Sequence, residues 1–465
     1  MDHPTTLRRG IGLAVALTAA AIPWVVTIGD LSPAGHRQLS IFLLAVALWV
    51  SEAIPLHATA AVIIGLQVAL VSDQSVLGTP EGFDPPAYTE FYGALANPVI
   101  ILFLGGFFLA DAAAKHDLDR NLARVLLRPF GDQPARLMLG VMAITAVLSM
   151  FMSNTATTAT MLAVVLPVSA RLPVDDRARV SLALSVPVAA NIGGIGTPVG
   201  TPPNAVAISA LASAGHTLTF LDWMLLAVPF VVIILFLAWL ALCRLFPTAT
   251  ERIDVRIDST FDRTRPAWIL YVTASATIAL WLSEPLHGVP ASVVAFLPIA
   301  VLLATRVFTA DDLRNVQWHV LWLVAGGIAL GEGVISTGLD AWMVDRLPLE
   351  DLPSLALIAT LAVVALAAST VISNSATANL LIPIGLTVAA SAAVAIDPVL
   401  AGVIIAVGCS LAMALPVSTP PNAVAYATGS VKTANMAAVG GIVAVVGLAL
   451  FIFVAPPIWE ALGLL

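Results

Sequence analysis

Thr201-Pro202-Pro203-Asn204-Ala205-Val206-Ala207 interrupts an apolar stretch and recurs in the second half of the chain as Thr419-Pro420-Pro421-Asn422-Ala423-Val424-Ala425. Proline lacks a backbone donor, and Pro203 pushes Pro202 out of the α region. With Gly196 and Gly200 just upstream, a helix through 180–212 is expected to break at 196–203. Thr201 suits an N-cap and Pro202 the first helical position, so a new helix can start there; Thr419-Pro420 reads the same way. Ser153-Asn154-Thr155-Ala156-Thr157 and its copy Ser373-Asn374-Ser375-Ala376-Thr377 again set capping side chains before an apolar helix. Gly105-Gly106 followed by Asp111 matches Gly326-Gly327 followed by Glu332, and Ala47-Leu48-Trp49-Val50-Ser51-Glu52 matches Ala279-Leu280-Trp281-Leu282-Ser283-Glu284. Four landmarks in one order, each displaced from its copy by nearly the same length of chain, mark an internal repeat.

The chain around these motifs is 465 residues long, 59% apolar and 10% charged, with a mean hydropathy of +0.99. Soluble domains average about 45–50% apolar and about 25% charged. A soluble multidomain enzyme, a disulfide scaffold and a disordered chain are excluded together, leaving an all-α polytopic membrane protein. Cys243 and Cys409 both sit in apolar runs, so neither a disulfide framework nor a cysteine metal site is expected. A net charge of −8 gives no reason to expect a nucleic-acid partner. Arg8 and Arg9 followed by Ile11 to Gly29 have the outline of a signal peptide, but the apolar stretch is long for one and reads as an uncleaved first helix.

Stretches long enough to cross a hydrocarbon core of roughly 30 Å fall near 11–29, 38–55, 57–72, 97–112, 180–212, 222–246, 267–283, 290–305, 318–336, 398–428 and 434–456. Two further apolar blocks, 137–170 and 353–389, are expected to return to their own side. The first has Arg136 and Arg171 at its ends and Ser153-Asn154 in its middle. Two full spans would need about 40 residues plus a turn, more than that block holds. The expectation is about eleven transmembrane helices plus two re-entrant helical hairpins, an inner one at 137–170 and an outer one at 353–389. With the N-terminus cytoplasmic and the C-terminus outside, 18 of the 20 Lys and Arg residues fall in cytoplasmic loops, and only Arg37 and Arg346 lie outside. The chain then divides into a first helix at 1–37, repeat one at 38–265 and repeat two at 266–465. The Trp-x-Ser-Glu helices are five crossings apart, so the second copy is inverted. Interrupted hydrophobic segments at matching positions of inverted repeats point to a secondary transporter and its binding site.

Non-helical backbone at membrane depth is tolerated only where protein buries it or a cavity adjoins it. Four helix N-termini converging there present free N–H groups and positive dipole ends to an anion. None of the four motifs contains Arg or Lys, so a multiply charged anion needs its counter-charge from bound cations. Hydroxyls, carboxamide oxygens and loop carbonyls are hard neutral ligands that suit an alkali cation, whereas divalent sites normally use carboxylates. The residues therefore suggest a cation-coupled anion carrier. The Gly-Gly pairs read as close helix packing, and isolated hydroxyls such as Thr145 and Ser181 as back-bonding to their own helices. Glu52, Asp111, Glu284 and Glu332 at span ends read as interfacial or capping, with proton coupling the lesser alternative; His57 and His319 read as interfacial.

The paired Ser-Asn-Thr and Thr-Pro-Pro-Asn motifs, preceded by the Trp-x-Ser-Glu helix, resemble those of the divalent anion–sodium symporter family of di- and tricarboxylate transporters. The resemblance covers roughly 38–456. It implies a homodimer in the inner (plasma) membrane, each protomer split into a scaffold domain and a transport domain that moves as an elevator. Carried onto this chain, it implies one sodium site at Ser149, Ser153, Asn154 and the backbone near Gly200. A second falls at Ser369, Ser373, Asn374 and the backbone near Ser418. Substrate carboxylates meet Asn154, Thr155 and Thr201 on one side, and Asn374, Ser375, Thr419 and Pro420 on the other. Ser375 departs from the threonine expected of bacterial dicarboxylate carriers. Losing that methyl keeps the hydroxyl and loosens the pocket, which bears on the preferred anion rather than its class.

The resulting expectation is sodium-coupled symport of C4 dicarboxylates such as succinate, malate or fumarate. The family also holds sodium-independent exchangers and sulfate or tricarboxylate carriers, which remain alternatives. An intramembrane enzyme is disfavoured because the chain has no His-Glu-x-x-His and no Gly-x-Ser-x-Gly. A channel is disfavoured because pores usually come from rings of subunits, whereas inverted repeats suit alternating access.

Overall fold

The computed structural model describes residues 3–26, 28–173, 175–248, 250–253, 261–346, 353–391 and 396–465. The first helix, His3–Val25, packs along Pro33–Ser51, which pairs in turn with Leu56–Leu70. Pro98–Lys115 follows, then Leu118–Leu127, a short helix where the sequence reading had only a charged loop. The repeat unit recurs as Arg265–Leu282, the pair Ala291–Val294 and Phe296–Ala304, and Trp318–Ser336.

The Trp-x-Ser-Glu motif ends a helix and ties it to its successor. The indoles of Trp49 and Trp281 are buried and donate to Leu56 O (3.3 Å) and Ala291 O (2.9 Å), each at the start of the next helix. Ser51 and Ser283 turn back to Ala47 O and Ala279 O at 2.6 and 2.7 Å. Glu52 adopts the left-handed region (φ 49°) that stops its helix.

The Gly-Gly pairs pack helices closely, as the sequence suggested. A Cβ on Gly105 would overlap the backbone oxygen of Ala295, and one on Gly326 would overlap Ala60. Each glycine thus sits against the opposite repeat, on the helix that follows the Trp-x-Ser-Glu helix. Partners exchanged in this manner are what an internal two-fold relation requires.

Both two-armed blocks are helical hairpins. Pro134–Phe151 and Asn154–Ser169 pack on each other, as do Ser354–Val371 and Asn374–Ala390. The 180–212 run is split into Ala178–Gly194 and Pro202–Ser213, and the 398–428 run into Pro398–Ser410 and Pro420–Ala427. Among the described residues, seven helices are long and apolar enough to cross a membrane. The broken runs are not among them, because their breaks leave pieces of 17, 12, 13 and 8 residues. Phe220–Leu245 and the C-terminal helix from Thr433, which runs through a π turn at Leu450–Val454 to Ala461, pack together and flank this assembly.

Candidate binding site

The two breaks interlock. Pro420–Ala427 packs on Asn154–Ser169 and Ala178–Gly194 of the other repeat, while Pro202–Ser213 packs on Asn374–Ala390 and Pro398–Ser410. The helix opening at each Ser-Asn motif therefore lies against the helix opening at the opposite Thr-Pro-Pro-Asn motif. All four motifs converge.

Each hairpin turn carries the same cluster. Ser149 Oγ lies 2.5 Å from Asn154 Oδ1 and 2.8 Å from Ala190 O; Ser369 Oγ lies 2.8 Å from Asn374 Oδ1 and 2.9 Å from Cys409 O. Both serines are fully buried. A hydroxyl has one proton, so it cannot satisfy a carboxamide oxygen and a carbonyl at once. Carboxamide oxygen and carbonyl both gather within hydrogen-bond distance of the hydroxyl, a neutral oxygen cluster to which a monovalent cation can add. The donor set fits sodium for that reason: it is neutral, hard and all oxygen.

The break closes over the first cluster. A Cβ on Gly194 would sit 2.6 Å from the Asn154 carboxamide, and one on Gly200 would overlap Gly194 O. Glycine at both positions lets Gly200 pack on Gly194, and Gly194 on Asn154, this closely. In the second half, Ser418 Oγ donates to Thr370 O at 2.8 Å and accepts from Leu415 N at 3.2 Å. Thr197 donates to Met150 O, the equivalent carbonyl of the first hairpin.

The Asn of each Thr-Pro-Pro-Asn motif braces its break, a role the sequence reading did not assign. Asn204 Nδ2 faces the carbonyls of Gly194 (3.0 Å), Ile195 (3.2 Å) and Thr197 (2.8 Å); Asn422 Nδ2 faces those of Met413 (2.7 Å) and Leu415 (3.0 Å). Their place in the motif was the available signal.

Capping only partly follows expectation. Pro202 and Pro420 open their helices, and Thr419 Oγ1 caps by accepting from Asn422 N. Thr201, Ser153 and Ser373 stand at N-cap positions in extended backbone, but their side chains make no capping bond. Their hydroxyls are spared for other work. Among the described residues, no hydrogen bond engages the side chains of Thr155, Ser375 or Thr201, or the Nδ2 groups of Asn154 and Asn374. Ser153, Asn154, Thr155, Ser373, Asn374 and Ser375 are half-buried, whereas Thr201 and Thr419 are buried. Pro420 is exposed.

The sequence profile of the citrate transporter family matches residues 46–408, well over half the chain. The chain belongs to this family. Like other citrate transporter family members it is a multi-pass membrane transporter and not an enzyme, and the resemblance read from its motifs holds. It is similar to the sodium-dependent dicarboxylate transporter SdcS of Staphylococcus saprophyticus, 29% identical over 96% of this chain and 92% of that protein. The SdcS protein of Staphylococcus aureus is 30% identical over 88% of this chain and 83% of its own length. The sodium-dependent high-affinity dicarboxylate transporter 3 of Caenorhabditis elegans is 31% identical over 85% and 78%. The solved YdaH transporter of Alcanivorax borkumensis, described as having an unusual topology, shares the fold at 16% identity with a TM-score of 0.57, covering 92% of this chain and 99% of that one.

Proposed function

We propose that this protein is a sodium-coupled symporter of C4 dicarboxylates such as succinate, malate and fumarate. The observation that carries the reading is the pair of repeat-related clusters at Ser149–Asn154–Ala190 and Ser369–Asn374–Cys409, each a group of neutral oxygens joining a hairpin turn to a broken helix. Sodium at each cluster, held further by Ser153 and the backbone near Gly200, or by Ser373 and the backbone near Ser418, supplies charge where no Arg or Lys lies in the motifs. Asn154 Nδ2, Asn374 Nδ2 and the hydroxyls of Thr155, Ser375, Thr201 and Thr419 then act as donors to two carboxylates, with Pro420, which has no N–H to give, as an apolar contact beside them. The names of the relatives, which specify sodium and dicarboxylate, support the same assignment.

In this reading the two hairpins and two broken helices form a transport domain that moves as an elevator against the scaffold helices of a homodimer, with the N-terminus cytoplasmic and the C-terminus outside. Division into 1–37, 38–265 and 266–465 belongs to the same proposal. The test is uptake of labelled succinate into proteoliposomes, with an imposed sodium gradient and without one. Accumulation that follows the gradient is expected. Succinate uptake indifferent to sodium would make the protein an exchanger, and competition by sulfate but not succinate would make it a sulfate carrier.

A further inference from the structure

Asn191 lies inside Ala178–Gly194, 3% exposed, and reaches across to the other repeat's break. Its Nδ2 stands 3.1 Å from Thr419 Oγ1 and 3.2 Å from Asn422 Oδ1. Which end of each carboxamide points where follows from the network. Asn422 holds the carbonyls of Met413 and Leu415 with one end of its amide, and two carbonyls demand the nitrogen. Its oxygen therefore faces Asn191, and the atom of Asn191 that meets it must be a donor. The second N–H of that same nitrogen falls to Thr419 Oγ1.

Thr419 Oγ1 then accepts twice, from Asn191 Nδ2 and from Asn422 N at 3.3 Å. A threonine hydroxyl has two lone pairs and one proton. With both lone pairs taken, it can serve a third partner only as a donor. The other break has no such arrangement. The repeat relation that carries Thr201 to Thr419 carries Asn191 to Cys409, so the first break has no counterpart amide. There Thr201 makes no side-chain capping bond, and the buried Oδ1 of Asn204 has no partner among the described residues.

We propose that Asn191 is a positioning residue that locks the Thr419 hydroxyl as a donor to one substrate carboxylate, making the two ends of the dicarboxylate site unequal. The inference rests on the dicarboxylate reading of the site given above. Asn191 itself does not touch the anion; it acts through Thr419. Losing it frees one lone pair of Thr419 Oγ1, so the hydroxyl can rotate and its proton is no longer held toward the anion.

The experiment is sodium-driven succinate uptake by the full chain in proteoliposomes, comparing native protein with Asn191→Leu, Thr419→Val and the double variant. Asn191→Leu is expected to raise KM about tenfold, the scale of one charge-assisted hydrogen bond, with Vmax per reconstituted protein within about twofold. A purely structural role would lower Vmax instead. In the Thr419→Val background, Asn191→Leu is expected to raise KM no further, because the group it acts through is gone. Should Asn191→Leu not survive purification, Asn191→Ser, too short to reach both acceptors, carries the same expectation. An unchanged KM in the Asn191 variants overturns the proposal, as does a double variant whose KM rise is the product of the two single rises. No dicarboxylate uptake by the native chain overturns the functional reading itself, and this proposal with it.

Discussion

Ser369 Oγ stands 2.8 Å from Asn374 Oδ1 across the turn of the second hairpin, and Ser149 repeats the relation with Asn154 at 2.5 Å in the first. Each serine also faces a carbonyl of the neighbouring broken helix, so one side chain joins the hairpin turn to the break. Removing the hydroxyl takes one oxygen from the proposed sodium cluster and leaves the anion donors in place. Ser149→Ala and Ser369→Ala are therefore expected to raise the sodium concentration for half-maximal succinate uptake several-fold, roughly the weight of one ligand oxygen at about 1 kcal/mol. KM for succinate at saturating sodium should move less. A sodium titration of uptake checks this, and unchanged sodium dependence in both variants would remove the clusters from the coupling path.

In the proposed site Asn154 and Asn374 have two tasks, Oδ1 toward the serine cluster and Nδ2 toward the anion. Asn154→Ala or Asn374→Ala therefore removes a proposed ligand of both cation and substrate. Uptake is expected to fall at least about a hundredfold, two interactions of about 1.5 kcal/mol each, while the purified variants keep the native elution profile and helical content. Both side chains are half-buried at the mouth of a turn, which is why folding should survive. Near-native uptake in both variants would discredit the site.

Gly326 faces Ala60 with no room for a side chain, and Gly105 faces the backbone oxygen of Ala295 in the same manner. Alanine at either position would force the two helices apart. Overpacking of this kind typically costs about 1–3 kcal/mol, so Gly105→Ala and Gly326→Ala should each lower the thermal unfolding temperature in detergent by several degrees. Gly65 and Gly441 have open space around an added Cβ, and their alanine variants should unfold like the native protein.

The breaks, the hairpins and the repeat were legible because proline and glycine act locally. Pro203 removes a donor and restricts its predecessor whatever surrounds it, so Thr201-Pro202-Pro203 announces a helix start in any context. Caps were less legible. Thr419 and Thr201 stand in the same motif, yet only Thr419 accepts from its own helix. Asn191 was invisible for a related reason: a single Asn in an apolar helix resembles ordinary packing, and its partners lie in the distant second half of the chain. Leu118–Leu127 was hidden by its charges, although Asp119 is buried and accepts from Thr160 of the first hairpin at 2.8 Å.

His116, just before that helix, meets Asp262 of the inter-repeat segment at 2.9 Å. The Thr264 backbone N–H first, and then the His116 ring, hold the Asp262 carboxyl below the usual carboxylate range. A depressed folded value means that the ionised carboxylate stabilises the native state at neutral pH, and that this contribution fades as pH falls through the depressed value. Native protein is expected to lose thermal stability on acidification more steeply than Asp262→Asn, which is already without the charge. Melting curves in detergent over a falling pH series check the sign, and parallel curves would show that the pair contributes nothing.

Ser375 occupies the second hairpin turn at the position equivalent to Thr155 and is half-buried, with its hydroxyl free of partners among the described residues. Thr155 on the first side carries a methyl that Ser375 lacks, so the two ends of the proposed site differ in width by one carbon. Ser375→Thr restores that carbon without altering the hydroxyl. Burying one methyl against a bound C4 anion is worth about 0.8 kcal/mol, so KM for succinate is expected to fall about fourfold. A bulkier tricarboxylate should lose ground, because the added methyl takes up space it would need. Competition of succinate, citrate and sulfate against labelled succinate, in native protein and in Ser375→Thr, reads both effects at once. If the variant instead favours citrate, the anion does not lie against Ser375, and the second carboxylate must be held elsewhere along the break at Thr419-Pro420.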